Sequence, residues 1–204
     1  MKILKRYIGD LFLSTRFYLA AGLCAFIYII AFFIPVLLPV AGMLFLIFVV
    51  LLTVDYFFLF ITANPPKVNR VVASRLSNGD KNKVELVIRN RNRFQLDITV
   101  IDELPIQLQE RNFKLKKRFS PGQRQTLGYT VQPAERGEYE FGDIVLFAST
   151  YFGLVVRRFS IPAQQDVSVY PSYMQMRKYQ LLSHSTTNNE PGNQRKRKIG
   201  QSME

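Results

Sequence analysis

The sequence predicts a two-helix transmembrane hairpin, then an all-β, immunoglobulin-like antiparallel sandwich, then a disordered basic tail. Three observations predict this order. Residues 17–63 are apolar at all but seven of 47 positions. Residues 64–171 contain short runs in which apolar and polar residues alternate, as in half-buried strands. The last 22 residues contain two apolar side chains, Ile199 and Met203, too few to offset the chain entropy of folding.

The apolar block is long enough for two membrane spans. A single helix over its 38 uncharged residues, 17–54, would be roughly 57 Å long, nearly twice the hydrocarbon core of about 30 Å. Pro35 and Pro39 interrupt the block, and proline removes a helical hydrogen bond. We therefore expect helices over residues 17–34 and 40–61, with an apolar connection near the interface. A cleaved signal peptide fits poorly because the block far exceeds an h-region.

The charges that flank the block predict its orientation. Lys2, Lys5, Arg6 and Arg16 precede it in a basic N-terminus, residues 1–16, and Lys67, Arg70 and Arg75 follow it. The connection between the helices has no basic residue. The positive-inside rule therefore predicts that both ends of the hairpin lie in the cytoplasm.

Asp55 is the one charged residue inside the second predicted span. An intramembrane carboxylate is costly and usually has a partner. In a hairpin that turns near Leu37, Asp55 comes about one turn from Arg16, so we expect an ion pair between them. A proton or ion relay is the alternative, but it requires further polar residues that the helices lack.

Period-two runs and turn residues divide residues 64–171 into about eight strands. Val84, Leu86 and Ile88 share one face of the clearest run, and turns rich in Asn, Gly and Pro separate the runs. Regular spacing of short strands without helices is typical of a β-sandwich. The predicted strands cover residues 67–76, 83–89, 95–100, 106–117, 125–131, 138–148, 153–161 and 165–170.

Residues 172–204 are expected to form a linker or disordered tail, in which 173–182 could make a short helix. Four adjacent cations, Arg195, Lys196, Arg197 and Lys198, lie in this tail. A solvated linker is the favoured interpretation, and binding to anionic lipid is the alternative. Nucleic acid is not an expected partner despite the net charge of +12, because no recognised nucleic-acid motif accompanies the cations.

Composition argues against an enzyme. The chain has one cysteine, Cys24, and one histidine, His184, so metal clusters and histidine-based triads have too few ligands. Glu138 and Glu140 could suggest a carboxylate pair, but neighbours on one strand face more often form a solvated surface or pair with Arg157 or Arg158. We predict no catalytic, cofactor-binding or metal-binding residue.

Several motifs of the sandwich resemble a known family. Arg136-Gly137-Glu138-Tyr139-Glu140-Phe141-Gly142 is followed by Thr150-Tyr151-Phe152-Gly153-Leu154 and then Val169-Tyr170-Pro171. Their order behind a hairpin resembles the bacterial domain-of-unknown-function 58 family, in which an Asp-Pro pair usually stands at Thr150-Tyr151. The motif glycines suit turns or close backbone approach, and Tyr139, Phe141 and Phe152 suit core or corner positions.

The resemblance implies a protein of the bacterial inner membrane that acts with a MoxR-type AAA+ ATPase in assembly or maturation of other complexes. It also implies that these residues are the N-terminal portion of a longer chain that continues into a von Willebrand A-like domain. The functional hypothesis is a non-enzymatic scaffold or adaptor whose partners are the lipid bilayer and this ATPase. The alternative is an envelope-facing module that binds cell-wall or secreted ligands.

Overall fold

The helical part of the chain is a hairpin. The computed structural model describes residues 9–110 and 113–171. A short strand, β1 (Leu11–Leu13), precedes helix α1 (Thr15–Phe33), and a 3-10 turn (Pro35–Leu37) leads into helix α2 (Leu38–Tyr56). A π-helical segment, Phe57–Thr62, extends α2. The two predicted helices are confirmed, with Pro35 at the turn between them.

Small residues let the two helices approach closely. Ala31 of α1 and Ala41 of α2 are the buried positions of the hairpin away from the sandwich, each 2% exposed. Most other side chains point outward and are apolar, as at Phe32 and Leu46. By length and composition, the described residues contain two helices able to cross a membrane, Thr15–Phe33 and Pro35–Thr62.

The rest of the described chain is an all-β sandwich, as predicted. Its strands, in chain order, are β2 (Lys67–Val72), β3 (Arg75–Ser77), β4 (Asn82–Arg89), β5 (Leu96–Asp102), β6 (Leu115–Phe119), β7 (Arg124–Val131), β8 (Gly137–Phe141), β9 (Ile144–Ser149), β10 (Val155–Ile161) and β11 (Gln165–Tyr170).

The strands form ladders ordered β2-β4-β7, β1-β10-β9-β5-β6 and β3-β11-β8. The last two ladders are nearly continuous, because Ile161 pairs with Ile144 and Gln165 pairs with Phe141. We therefore interpret them as one bent layer that faces β2-β4-β7. Among the described pairings, β3 with β11 alone is parallel. The architecture is immunoglobulin-like.

The core lies between these layers. Val84, Leu86 and Ile88 are fully buried, as their alternation predicts. Tyr139 and Phe141 of the Arg136–Gly142 motif are also core residues, each 1% exposed. Two residues of the π-helical segment, Leu59 and Phe60, belong to the same core cluster. The end of the second helix is therefore part of the sandwich.

The structure corrects several predicted boundaries. Residues 106–117 are not one strand: a 3-10 helix, Ile106–Leu108, follows Pro105, and strand β6 begins at Leu115. The predicted strand 67–76 divides into β2 and β3, which belong to different ladders, and 138–148 divides at Gly142. Strand β1 was not predicted. It lies in the expected basic N-terminus and pairs with β10. The predicted tail, 172–204, with its basic cluster, lies outside the described residues.

Candidate functional site at the junction of the helices and the sandwich

The loop between β9 and β10, residues 150–154, joins the sandwich to both helices, and we call it the junction loop. Asp55 of α2 is fully buried against it. Its Oδ2 accepts hydrogen bonds from the backbone amides of Leu154 (2.8 Å) and Val155 (2.9 Å), and its Oδ1 accepts one from the Thr150 hydroxyl. Three donors thus compensate the buried carboxylate.

The predicted ion pair between Asp55 and Arg16 is wrong. Arg16 Nη1 instead donates to the carbonyl oxygens of Tyr151 (3.3 Å) and Phe152 (3.2 Å) of the same loop. Sequence reasoning placed both residues at the correct level of the hairpin. It missed that the loop comes between them, because the donors to Asp55 are mainly backbone amides, which carry no sequence pattern.

Helix α1 also holds the junction loop through its first residues. The Ser14 hydroxyl donates to the carbonyl of Gly153 (2.5 Å) and accepts from the amide of Phe17, capping the helix. The Ser14 amide donates to the carbonyl of Leu154 (3.1 Å). Gly153 has φ +62°, which glycine adopts readily. The loop therefore presents its amides to α2 and its carbonyls to α1.

Arg157 of β10 makes the next contact between sandwich and helix. Its side chain is buried, and Nη1 donates to the carbonyl oxygens of Leu59 (2.8 Å) and Phe60 (3.4 Å). The guanidinium also lies over the rings of Phe60 and Phe159, 4.9 and 4.7 Å from their centroids. A cation at the C-terminal end of a helix is electrostatically favourable. Arg157, one of the two arginines considered as alternative partners of Glu138 and Glu140, therefore binds the end of the helix.

Two buried asparagines fix the chain where it leaves the helix. Asn92 Oδ1 accepts from the Asn64 amide (2.6 Å), and Asn92 Nδ2 donates to the Asn64 carbonyl (3.0 Å). The fully buried Asn90 accepts from both nitrogens of Asn92 and donates to the carbonyl of Phe94. The sequence predicted only a turn here. Two asparagines in one turn are the pattern that could have indicated such a network.

A second buried polar cluster connects the layers away from the helices. Arg70 Nε donates to Asp102 Oδ2 (3.1 Å), Arg70 Nη2 pairs with Asp102 Oδ1, and the Tyr129 hydroxyl donates to Oδ2 (2.5 Å). Arg70 also donates to the carbonyls of Ala163 and Gly142. Burial, reinforced by the Asp102 carboxylate, raises the pKa of Tyr129 above its ordinary value. Each group has a partner within the fold, so the arrangement is suited to stabilising the sandwich.

Glu138 and Glu140 lie on the exposed side of β8, opposite Ser168 and Asp166 of β11. This agrees with the predicted solvated face. Cys24 is half-buried in α1, and His184 lies outside the described residues. Within residues 9–110 and 113–171, no group of three or more His, Cys, Asp or Glu side chains could hold a metal ion.

Comparison with known proteins gives distant structural likenesses. No protein-family model and no curated protein matches the sequence. A CARDB domain from Pyrococcus furiosus, solved with di-metal ions, is 14% identical, with a TM-score of 0.37 over 54% of this chain and 93% of that one. The PapD-like domain 7 of human CEP192 is 11% identical, with a TM-score of 0.35 over 52% and 87%. A PKD domain of an M14-like peptidase from a Thermoplasmatales archaeon is 12% identical, with a TM-score of 0.32 over 54% and 100%. With these identities and TM-scores, the likenesses carry no inference about ligands.

Proposed function

We propose that this protein is a non-enzymatic scaffold or adaptor anchored in the bacterial inner membrane by α1 and α2. The observation that carries the proposal is the bonding of Asp55, on the second helix, to the junction loop of the sandwich. Because Ser14, which caps the first helix, and Arg16 within it hold the same loop, the hairpin fixes both the position and the orientation of the sandwich. A protein that only needed tethering could use a flexible linker instead.

The membrane part of the proposal is supported by the outward faces of the helices. Large apolar side chains are exposed along both of them, including Leu19 at 70% and Met43 at 66%. A bilayer would cover these side chains. The basic residues that flank the apolar block favour a cytoplasmic sandwich with both termini on the same side.

Orientation is tested by fusing a reporter after Glu204. A fluorescent protein that folds only in the cytoplasm should be bright, and alkaline phosphatase at the same position should be inactive. The reverse result would contradict the cytoplasmic arrangement and favour the envelope-facing binding module.

The proposed partner is a MoxR-type AAA+ ATPase, with which the protein would serve in assembly or maturation of other complexes. Its support is the family resemblance of the Arg136–Gly142, Phe152–Leu154 and Val169–Pro171 motifs. The test is co-purification of the tagged protein with a MoxR-type ATPase from the same organism, using an unrelated two-span membrane protein as the control. Equal recovery with the control would contradict this partner and leave membrane anchoring untouched.

A further inference from the structure

The junction loop exposes two aromatic side chains beside the helix ends. Tyr151 is 74% exposed and Phe152 is 42% exposed, although the backbone around them is held by Asp55, Ser14 and Arg16. If the helices cross the bilayer as proposed above, Ser14 and Asp55 mark the level at which they leave it. Tyr151 and Phe152 then lie at the headgroup level, where exposed aromatic rings are favoured.

A small polar cavity of about 210 Å³ lies at the same level. Its lining residues include Ser14, which caps α1, Thr15 and Arg16 of α1, Thr99 of β5, Lys116 of β6 and Ser149 of β9. Two cations and the hydroxyl groups of Thr15 and Thr99 therefore line a space large enough for a phosphate group, whereas the hydroxyls of Ser14 and Ser149 donate to carbonyls of the fold. Such donors are the ones that bind phosphate oxygens in proteins.

One carboxylate, Asp97, also lines this cavity. It accepts two hydrogen bonds from Arg118, at 2.7 and 3.3 Å. The hydrogen bond and the charge of Asp97 raise the pKa of Arg118, which therefore keeps its positive charge beside Asp97. Because Arg118 neutralises Asp97, the charges of Arg16 and Lys116 remain available to an anion.

We propose that the junction loop and this cavity form a binding site for an anionic phospholipid. Arg16 and Lys116 bind the headgroup phosphate, and Tyr151 and Phe152 lie in the interfacial region against the glycerol and upper acyl chains. The proposal rests on the membrane anchoring proposed above. It concerns residues of the junction and not the basic cluster at 195–198.

The first experiment measures the depth of the junction loop. Because the chain contains no tryptophan, Tyr151→Trp introduces a single tryptophan, whose emission can be followed separately from that of the tyrosines. The full-length variant is reconstituted in nanodiscs that contain lipids brominated along the acyl chain. We expect bromine to quench the tryptophan emission, most strongly when it lies near the glycerol, because aromatic rings are favoured at that level.

Two matched variants make the result interpretable. Tyr28→Trp lies within α1 and should be quenched in any bilayer-inserted protein. Tyr170→Trp, 51% exposed at the end of β11, should not be quenched, because β10 and β11 lead away from the junction. Quenching at position 28 but not at 151 would overturn the lipid site and leave the anchoring intact. No quenching at position 28 would instead overturn the anchoring.

The second experiment tests the phosphate contact. Phosphatidylglycerol is titrated into phosphatidylcholine nanodiscs, and the emission of the Tyr151→Trp protein is followed. With Lys116→Gln added, the phosphatidylglycerol fraction that gives half of the emission change should rise by about fivefold. This is the effect expected for one lysine at a membrane surface. Lys117→Gln removes the same charge from the alternate face of β6 and should have little effect.

The remaining outcomes decide against the site. Equal shifts for Lys116→Gln and Lys117→Gln would mean general surface charge and would overturn a specific phosphate contact. Inorganic phosphate is also titrated into the detergent-solubilised protein. A saturable response to inorganic phosphate, with none to phosphatidylglycerol, would assign the cavity to a free anion and overturn the lipid assignment.

Discussion

The sequence predicts an ion pair between Asp55 and Arg16, whereas the structure shows Asp55 bonded to the junction loop. Substitutions of Asp55 distinguish these two arrangements. Oδ2 accepts from both backbone amides, and Oδ1 accepts from the Thr150 hydroxyl. An asparagine at this position can direct its oxygen toward the amides and its nitrogen toward Thr150, whose hydroxyl can accept instead of donate. All three contacts can therefore persist in Asp55→Asn.

The magnitudes follow from this geometry. Charge-assisted hydrogen bonds are roughly twice as strong as neutral ones, so Asp55→Asn should weaken the junction by about 1–2 kcal/mol. Asp55→Ala leaves two buried amides without an acceptor, at about 1–3 kcal/mol each, and also loses the Thr150 contact. We therefore expect about 4 kcal/mol for Asp55→Ala. An ion pair with Arg16 predicts equal losses, because both substitutions remove the charge.

Hydrogen–deuterium exchange of the full-length protein measures the difference directly at the amides of Leu154 and Val155. Exchange should accelerate by about tenfold in Asp55→Asn and roughly a thousandfold in Asp55→Ala, since about 1.4 kcal/mol corresponds to a factor of ten. Glu85→Ala, which removes a half-buried carboxylate paired with Lys83 on β4, is the control and should leave both amides unchanged. Equal acceleration in the two Asp55 variants, or none in either, would refute the assigned role.

Three further predictions concern other contacts. In denaturant unfolding, Gly153→Ala should lower stability by about 1–2 kcal/mol more than the control Gly122→Ala. Both glycines have positive φ, but only at Gly153 would an added Cβ lie 2.9 Å from Arg16 Nη1. Equal losses would show that this approach is relieved by movement of Arg16. Arg157→Ala should lower the stability of the contact between sandwich and helix by about 3 kcal/mol. Arg157→Lys should lower it less, since an ammonium can keep one carbonyl contact. The rate of limited proteolysis within residues 57–62 measures the difference. The raised pKa of Tyr129 lets the folded protein keep a proton that the unfolded chain loses above about pH 10. The free energy of unfolding should therefore fall as the pH rises past that value, by up to about 1.4 kcal/mol per pH unit. Tyr129→Phe should reduce this slope in unfolding measured between about pH 9 and 11, and an unchanged slope would contradict the assignment.

The elements that sequence reasoning predicted well are those whose burial is periodic. Val84, Leu86 and Ile88 lie on one face of β4, and each is fully buried. Pro35 lies at the turn between the helices. At these positions the local residue pattern favours the same burial, or the same helix end, that the tertiary fold requires. The pattern alone therefore predicts the structure there.

The junction could not be predicted in this way. Its main donors and acceptors are backbone groups of residues 150–155, and backbone groups are the same in every sequence. Strand β1 was missed for a related reason: three residues, Leu11–Leu13, are too few to show a period, and their pairing with β10 joins positions more than 140 residues apart. Long-range pairing of short segments is decided by the assembled fold.

The apolar sequence also continues past the point at which the helix enters the sandwich core. Under the proposed anchoring, α1 has 19 residues and α2 has 19, each roughly 28 Å long, which matches a hydrocarbon core of about 30 Å without any later residue. The π-helical segment is equally apolar, yet Leu59 and Phe60 are 0% and 4% exposed because they pack in the sandwich core. A hydropathy scale cannot separate burial in lipid from burial in protein, since both environments favour the same side chains. Under the proposed anchoring, Asp55 lies between the part of the helix that lipid would cover and the part that packs in the sandwich. Its carboxylate oxygen accepts hydrogen bonds from the amides of Leu154 and Val155. The carboxylate that seemed misplaced in an apolar helix therefore lies where that helix meets the sandwich.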